Sequence, residues 1–413
     1  MVQAQGLEPL QVEVAADAAL VELGEALFFD RELSGNRNMS CATCHHPLFA
    51  SGDGLSLSIG QNGVGLGPER IPGEGGVIPR NANDLFNRGA SEWTTMFWDS
   101  RVSGTPEEGF VTPAGDDTPA GLDSVLAAQA LFPVESHGEM RGNAEDVDVA
   151  GRRNELAGFP DDDFLSVWDA IVARLQAIPA YDELFAAAFP EVPSTDLGIE
   201  HVANAIGAYE ATAFAFPDSP WSAYLAGDDE ALSEAAIAGA VLFLGEAGCS
   251  TCHSGVLLTD QQTHSLGVPQ VGPGKDEEGP EDFGRGRETG RIEDRYTFRT
   301  PSLHNVTITG PWTHDGAYTT LENVIRHHID PAERLLEYDV TQTVGPGLLV
   351  LDRQRHLDPI VASISPELDA VPALSDDQIA DLIAFLNSLT DPAATDLGHL
   401  VPESVPSGLP VDR

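Results

Sequence analysis

All four cysteines of the chain fall in two copies of one five-residue pattern, CATCH at 41–45 and CSTCH at 249–253. Each copy presents two thiols three positions apart, with a histidine directly after the second. Such a unit can bond covalently to the two vinyl groups of a haem, and its histidine then lies beneath the iron as proximal ligand. Zinc is the competing chemistry, but a zinc site would call for a second pair of ligands at matching spacing, and a disulfide framework gives no reason for the histidines. Cys41, Cys44, Cys249 and Cys252 are therefore read as attachment points for two c-type haems, with His45 and His253 as ligands to the two irons. Haem is attached to such motifs outside the cytoplasm, so an exported chain is expected.

What two haems do depends on their sixth ligands. A haem closed on both faces passes electrons, whereas one with an open face can bind peroxide or another small molecule. The four methionines are Met1, Met39, Met96 and Met140, so none follows the second motif. The segment TTLENVIRHHID (319–330) offers an alternative. On a helix, Leu321, Val324 and His328 share one face while His327 points about 100° away. His328 is thus the better inward ligand, although a histidine on an apolar face also serves as a hydrogen-bonded core residue.

The elements that must position these groups are mostly helical. GEALF (24–28) precedes the first motif and GAVLF (239–243) the second, each at the end of a helix, so helix, loop and Cys-X-X-Cys-His are duplicated within the chain. Segments near 122–131, 164–176 and 199–213 have amphipathic helical spacing, and Ser375 with Gln378 forms a capping-box start for a helix ended by Pro392. Gly- and Pro-rich loops are expected at 60–80, 102–121 and 266–292. The fold class expected is mainly α, with two cytochrome c-like domains, long loops and one haem in each. The boundary is placed near 215–230, which divides the chain into 1–220 and 221–413.

With 413 residues and 42% hydrophobic content the chain can bury a full core. Its 21 basic and 66 acidic residues give a net charge of -45, which excludes nucleic acid and anionic membranes as partners and favours a basic one. Lys275 is the only lysine. No run approaches the roughly 20 apolar residues of a membrane span, and MVQAQGLEPL lacks the basic and apolar regions of a signal peptide, as expected of a chain whose export signal has been removed.

The ordered stretches CATCHH, SIGQ, RNANDLFN, MFWDSR, QALFPVESHGEM, CSTCH, FRTPSLHNVTITGPWTHDG and TLENVIRHH, spread over about residues 20–390, resemble the bacterial di-haem cytochrome c peroxidase and MauG superfamily. The insertion after MFWDSR makes them most similar to its MbnH-type branch, whose members oxidise tryptophan in a partner protein. The resemblance implies a peroxidatic haem in the N-terminal domain, an electron-transfer haem in the C-terminal domain, a tryptophan between them and a calcium ion at the domain interface. Carried over motif by motif, the tryptophan is Trp98 and the distal peroxide pocket is Gln129, Pro133 and Glu139. The calcium ligands are the Asn81 side chain and the carbonyls of Thr309 and Pro311. A carboxylate beside the iron suits this role, because it can take a proton from bound peroxide and return it to the leaving oxygen while an amide holds the substrate.

Two positions depart from the family pattern. Where the typical peroxidases carry a closing histidine (SIGH), this chain has Gln61, and no histidine lies between His46 and His137, so the first haem is expected to stay open. The sixth-ligand position of the second haem, methionine in typical peroxidases and tyrosine in MauG, aligns with His328; imidazole in place of methionine lowers the haem potential. His304 stands where arginine is usual, and His314 matches a histidine frequent in the family. The function expected is an exported di-haem oxidoreductase that reacts with hydrogen peroxide at the first haem and uses the two oxidising equivalents so gained to oxidise a partner protein at tryptophan. The alternatives are an ordinary cytochrome c peroxidase, fed by a small cytochrome or cupredoxin, and a non-enzymatic electron-transfer cytochrome.

Overall fold

The computed structural model describes residues 7–12, 17–73, 75–275, 279, 281–345 and 353–413. Residues 1–6, part of the expectation about the N-terminus, lie outside them, as do residue 74 of the 60–80 loop and residues 276–278 and 280 of the 266–292 loop.

The duplication read from the sequence has a structural basis in two helix pairs. Asp17 caps the helix Ala18–Phe29 by accepting from the N–H groups of Ala19 and Leu20. That helix packs against the helix Ile199–Ala213 with Leu23, Leu27 and Phe28 inward. The two cross at Gly24, where a Cβ would stand 1.9 Å from the carbonyl oxygen of Ala205. In the second half the helix Glu234–Leu244, capped by Ser233, packs against the helix Asp376–Ser388. Here Gly239 makes the crossing, and a Cβ would stand 1.9 Å from the oxygen of Asp381. The first residue of GEALF and the first of GAVLF thus do the same work, since only glycine lets the backbones approach so closely. The last residues of the two stretches, Phe28 and Phe243, are both buried.

The helix Asp376–Ser388 begins with the expected capping box of Ser375 and Gln378. Helices at Phe164–Gln176 and Ile199–Ala213 coincide with the expected segments, and the one near 122–131 is shorter, Val125–Ala130, because Ser124 caps it. The largest core cluster gathers side chains mainly from the first half, joined by Leu257, Ala394, Leu397 and Val405, and a second forms around Trp221, Phe243 and Phe385.

Three stretches differ from expectation, the first being the 266–292 loop, which carries a short helix at Arg285–Thr289 between Gly284 and Gly290. The 102–121 loop contains an antiparallel hairpin, Val102–Thr105 with Gly109–Val111, to which Thr95–Met96 adds a third strand. Gly104, at φ +125°, lies so near Gly109 that a Cβ would meet its carbonyl at 2.1 Å, so a residue that reads as a loop former is what permits the pairing. The 215–230 segment is not only turn. Ser219 and Pro220 start a short helix, Pro220–Leu225, whose Trp221 is buried in the second core cluster.

The last residues return to the first half. Ser407 bonds Asp30 through its hydroxyl (2.6 Å), Asp412 pairs with Arg31 at 2.6 Å, and its other oxygen accepts from Thr43 of the CATCH motif at 2.7 Å. The tail therefore braces the first cysteine motif directly. Asp412→Ala should lower the unfolding free energy by about 2 kcal/mol, because it removes two charge-assisted hydrogen bonds in a mostly buried place; denaturant unfolding of the diferric protein measures this, and an unchanged midpoint would show that the brace contributes nothing.

Candidate active site

At the first motif a short helical turn, Cys41–Cys44, is locked by the Ser40 N–H donating to the Thr43 hydroxyl at 2.9 Å. At the second, the turn Cys249–Thr251 follows Gly248, whose φ of +70° ends the preceding loop. In both, the ring nitrogen Nδ1 of the following histidine meets a backbone carbonyl at 3.2 Å: Ser51 for His45, Leu258 for His253. A carbonyl only accepts, so Nδ1 carries the proton and Nε2 keeps its lone pair for a metal. Burial depresses both imidazoles, His253 to about 4, and keeps them neutral as a ligand must be.

A large apolar cavity opens beside the second motif. Cys249, Cys252 and His253 line it, and so do His328, Trp98, Asn81, Thr309 and Pro311. His328 stands on the helix Leu321–Ile329 with its Nδ1 against the Val324 carbonyl at 2.8 Å, the pattern shown by the two motif histidines, so its Nε2 is likewise available. His327 is placed otherwise. Its Nε2 reaches the Leu266 carbonyl and its Nδ1 the Tyr318 hydroxyl, both at 2.8 Å, so neither nitrogen is free. The residues therefore fit a haem here: two thiols, an imidazole on the near side and a second imidazole on the same cavity. The cluster Cys252, Asp260 and His264 has ligand atoms within 4.8 Å of one another, but Cys249 and His253 stand outside it and His264 is already paired with Asp260 at 2.8 Å. That geometry gives a zinc site no use for the rest of the motif.

The remaining predicted residues stand on one segment of the first half, 125–141. Gln129 is the last residue but one of the helix Val125–Ala130, Pro133 starts the turn Pro133–Glu135, and Glu139 lies in a π-helical turn, His137–Arg141. Burial raises the Glu139 carboxyl, against the pull of Arg101, Lys275 and Arg80 and a hydrogen bond with Ser136. Its charge in turn acts on the Cys44 thiol. Gln61 is wholly buried, and its amide donates to the Met140 carbonyl at 2.6 Å.

Trp98 donates from its indole N–H to the Asn81 carbonyl at 3.0 Å, and its own carbonyl accepts from Arg299 N–H at 2.7 Å. The Asn81 amide donates to the Leu55 carbonyl, which turns its Oδ1 elsewhere. Asn81, Thr309 and Pro311 all line this one cavity; amide and backbone carbonyl oxygens are neutral donors of the kind a hard cation takes. His304 bonds the Val256 carbonyl through Nε2 at 2.7 Å, and His314 stacks on Phe298 with ring centres 3.5 Å apart.

Several residues escaped the sequence reading. Asp99 is fully buried and pairs with Arg80 and, at 2.9 Å, with Arg101; the Lys275 ammonium stands 3.8 Å away. Arg80 also makes a bidentate pair with Asp282, at 2.6 and 2.8 Å. Asp99 and Arg101 sit beside Trp98 in MFWDSR, which was a usable signal; Asp282 had none. The guanidinium groups of Arg88 and Arg299 lie 4.2 and 5.2 Å from the ring centre of Trp93.

A mainly α chain with two Cys-X-X-Cys-His motifs, each with its imidazole turned for a metal, defines a di-haem c-type protein. Residues 18–230 match the profile of the di-haem cytochrome c peroxidase family. The chain is 32% identical over 318 residues to methylamine utilization protein MauG of Methylorubrum extorquens, covering 76% of this chain and 69% of that one. It is 30% identical to the cytochrome c551 peroxidase of Pseudomonas aeruginosa, over 74% of this chain and 70% of that one. Among solved structures, a MauG-like protein associated with microbial copper homeostasis superposes with a TM-score of 0.60 and 27% identity, covering 94% of each chain. The chain belongs to the di-haem cytochrome c peroxidase and MauG family, a family of peroxidase-type oxidoreductases that implies two c-type haems.

The buried ion pairs carry a pH signature. Burial alone would raise Asp282, but Arg80 outweighs it and brings the carboxyl to about 2, against an ordinary 3.8. A depressed carboxylate contributes stability above its unfolded pKa and loses it as pH falls, here between about 4 and 2. The difference is worth roughly 2–3 kcal/mol at pH 7. Asp282→Asn should therefore unfold more easily than wild type at pH 7 in urea, with the gap narrowing toward pH 2; a gap independent of pH would contradict the pairing.

Proposed function

We propose that the chain is an exported di-haem oxidoreductase that cleaves hydrogen peroxide at the haem of the first motif and takes the electrons from a partner protein, at tryptophan side chains. The observation that carries this reading is the inequality of the two sites. His328 lies on the cavity of the second motif with Nε2 available, whereas Gln61 has its amide turned to the Met140 carbonyl. His253 and His328 would then hold the second haem and His45 the first, with Glu139 as the acid of the first site. We assign residues 1–220 and 221–413 to the two cytochrome c-like domains, and Asn81, Thr309 and Pro311 to a calcium site.

The two haems, when bound, supply the iron that holds peroxide and the redox couple that accepts electrons. The chain supplies the proton traffic. Glu139, whose burial favours its neutral form, exchanges the peroxide proton between the two oxygens, Gln129 orients the substrate through its amide, and Pro133 keeps the wall beside them apolar. Two electrons and two protons convert hydrogen peroxide to two waters. Trp98, on the cavity wall and bonded to both Asn81 and Arg299, is the route by which charge passes between the two sites. No helix among the described residues is long and apolar enough to cross a membrane. Export follows from the site of haem attachment.

The relatives named cytochrome c peroxidase favour a second reading, in which a small redox protein is the electron source and water the only product. Mixing the diferric protein with one equivalent of peroxide in a stopped-flow spectrometer separates them. Consumption without prior reduction supports the MauG-like reading, and a requirement for half reduction supports the second. Glu139→Gln should slow peroxide cleavage by about 10²–10⁴-fold, and a rate near wild type would remove Glu139 from the role. His328→Gly should abolish the low-spin signal of the second haem in the resting electron paramagnetic resonance spectrum, whereas His327→Phe should keep it; the reverse result would move the ligand to His327.

A further inference from the structure

Gln61 does more than leave the first site open. The stretch 58–61 runs against the turn His137–Arg141 so closely that a Cβ on Gly60 would stand 2.1 Å from the Gly138 carbonyl oxygen. From this position Gln61 makes two bonds to the turn. Its backbone N–H donates to the Gly138 carbonyl at 3.2 Å, and its side-chain amide donates to the Met140 carbonyl at 2.6 Å. Those are the two carbonyls on either side of Glu139. Gln61 is 0% exposed, so water does not compete for either bond.

A π-helical turn is the rarest and least regular of the helical forms and seldom persists on its own internal bonds. The turn that carries Glu139 is accordingly held from outside, with Gly35 N–H adding a further bond to the Met140 carbonyl at 2.7 Å. The clamp is itself stiffened. The Arg70 guanidinium donates to the carbonyls of Ile59, Gly60 and Gly65 at 3.1, 3.2 and 3.0 Å and so fixes the loop on which Gln61 stands.

We propose that Gln61 is a positioning residue for peroxide cleavage: by gripping the carbonyls that flank Glu139 it sets the carboxyl in its working place, so the position that closes the iron in typical relatives here serves the acid instead. This rests on the reading of Glu139 as the group that moves the peroxide proton. The alternative, in which Gln61 only fills the space of the missing ligand, predicts no special tie between the two residues.

A double-mutant cycle on the full-length di-haem protein tests it, with peroxide cleavage by the diferric enzyme as the rate and cyanide binding to the ferric haem as the control for an open site. Gln61→Leu keeps the backbone bond and loses the amide. It should slow cleavage on the order of 10- to 100-fold, the loss that follows from a displacement of about 1 Å, with cyanide affinity unchanged. In the Glu139→Gln background the same change should cost nothing further. Should Gln61→Leu fail to accumulate, Gln61→Met makes the same test. Equal losses in both backgrounds, or wild-type speed for Gln61→Leu while Glu139→Gln is slow, would overturn this inference alone. Wild-type speed for Glu139→Gln would overturn the acid–base reading beneath it as well.

Discussion

The arrangement of the molecule turns on one buried carboxylate. Burial alone would raise Asp99, but Arg101, Arg80 and Lys275 outweigh it and hold the group well below the usual carboxylate range. Charges removed from water are tolerable only when paired and hydrogen-bonded, so each partner must arrive for the others to stay buried. Asp99 and Arg101 flank Trp98 on one segment, Arg80 precedes Asn81 on another, and Lys275 and Asp282 come from the second half. Satisfying this one network therefore places the indole of Trp98 against the cavity of the second motif and fixes the contact of the two halves around it.

Within that frame the two halves repeat one construction and differ in what they set opposite it. Both cross a helix pair at a glycine, Gly24 or Gly239, and both follow with a motif histidine whose Nδ1 is bonded to a backbone carbonyl. The second half then presents a third imidazole prepared in the same way, His328, on a regular helix. The first presents an acid on an irregular turn. Regular helix geometry suits a ligand that must reach a fixed point along its axis. The π turn takes Glu139 off that lattice, a local departure of the kind frequent at functional sites.

What could be read beforehand follows from how local each cause is. Covalent haem attachment needs its residue types at a fixed short spacing, so CATCH and CSTCH were legible, and the 100° step of a helix was enough to favour His328 over His327. The reason His327 is unavailable was not legible, because Tyr318 and the Leu266 carbonyl reach it through the fold. The same holds for the motif histidines, whose partners are the backbone carbonyls of Ser51 and Leu258, groups that every residue carries. Gln61 stood out as a departure from the family, but its partners lie 77 and 79 residues further on. The hairpin at 102–111 was hidden because its strands are short and built around Gly104, so neither alternation nor length marked them. Asp282, 202 residues from Arg80, had no sequence sign at all.

The network that joins the halves also reaches the acid. Arg101, Lys275 and Arg80 each lower the Glu139 carboxyl against the burial that raises it. Lys275, the only lysine, is itself brought down to about 8, by burial first and then by the two arginines. The seat of Lys275 against Asp99 therefore bears on the Glu139 carboxyl as well as on the contact of the two halves. Stability and chemistry are not assigned to separate residues here. The ions that join the two halves are the same ions that pull on the Glu139 carboxyl against its burial.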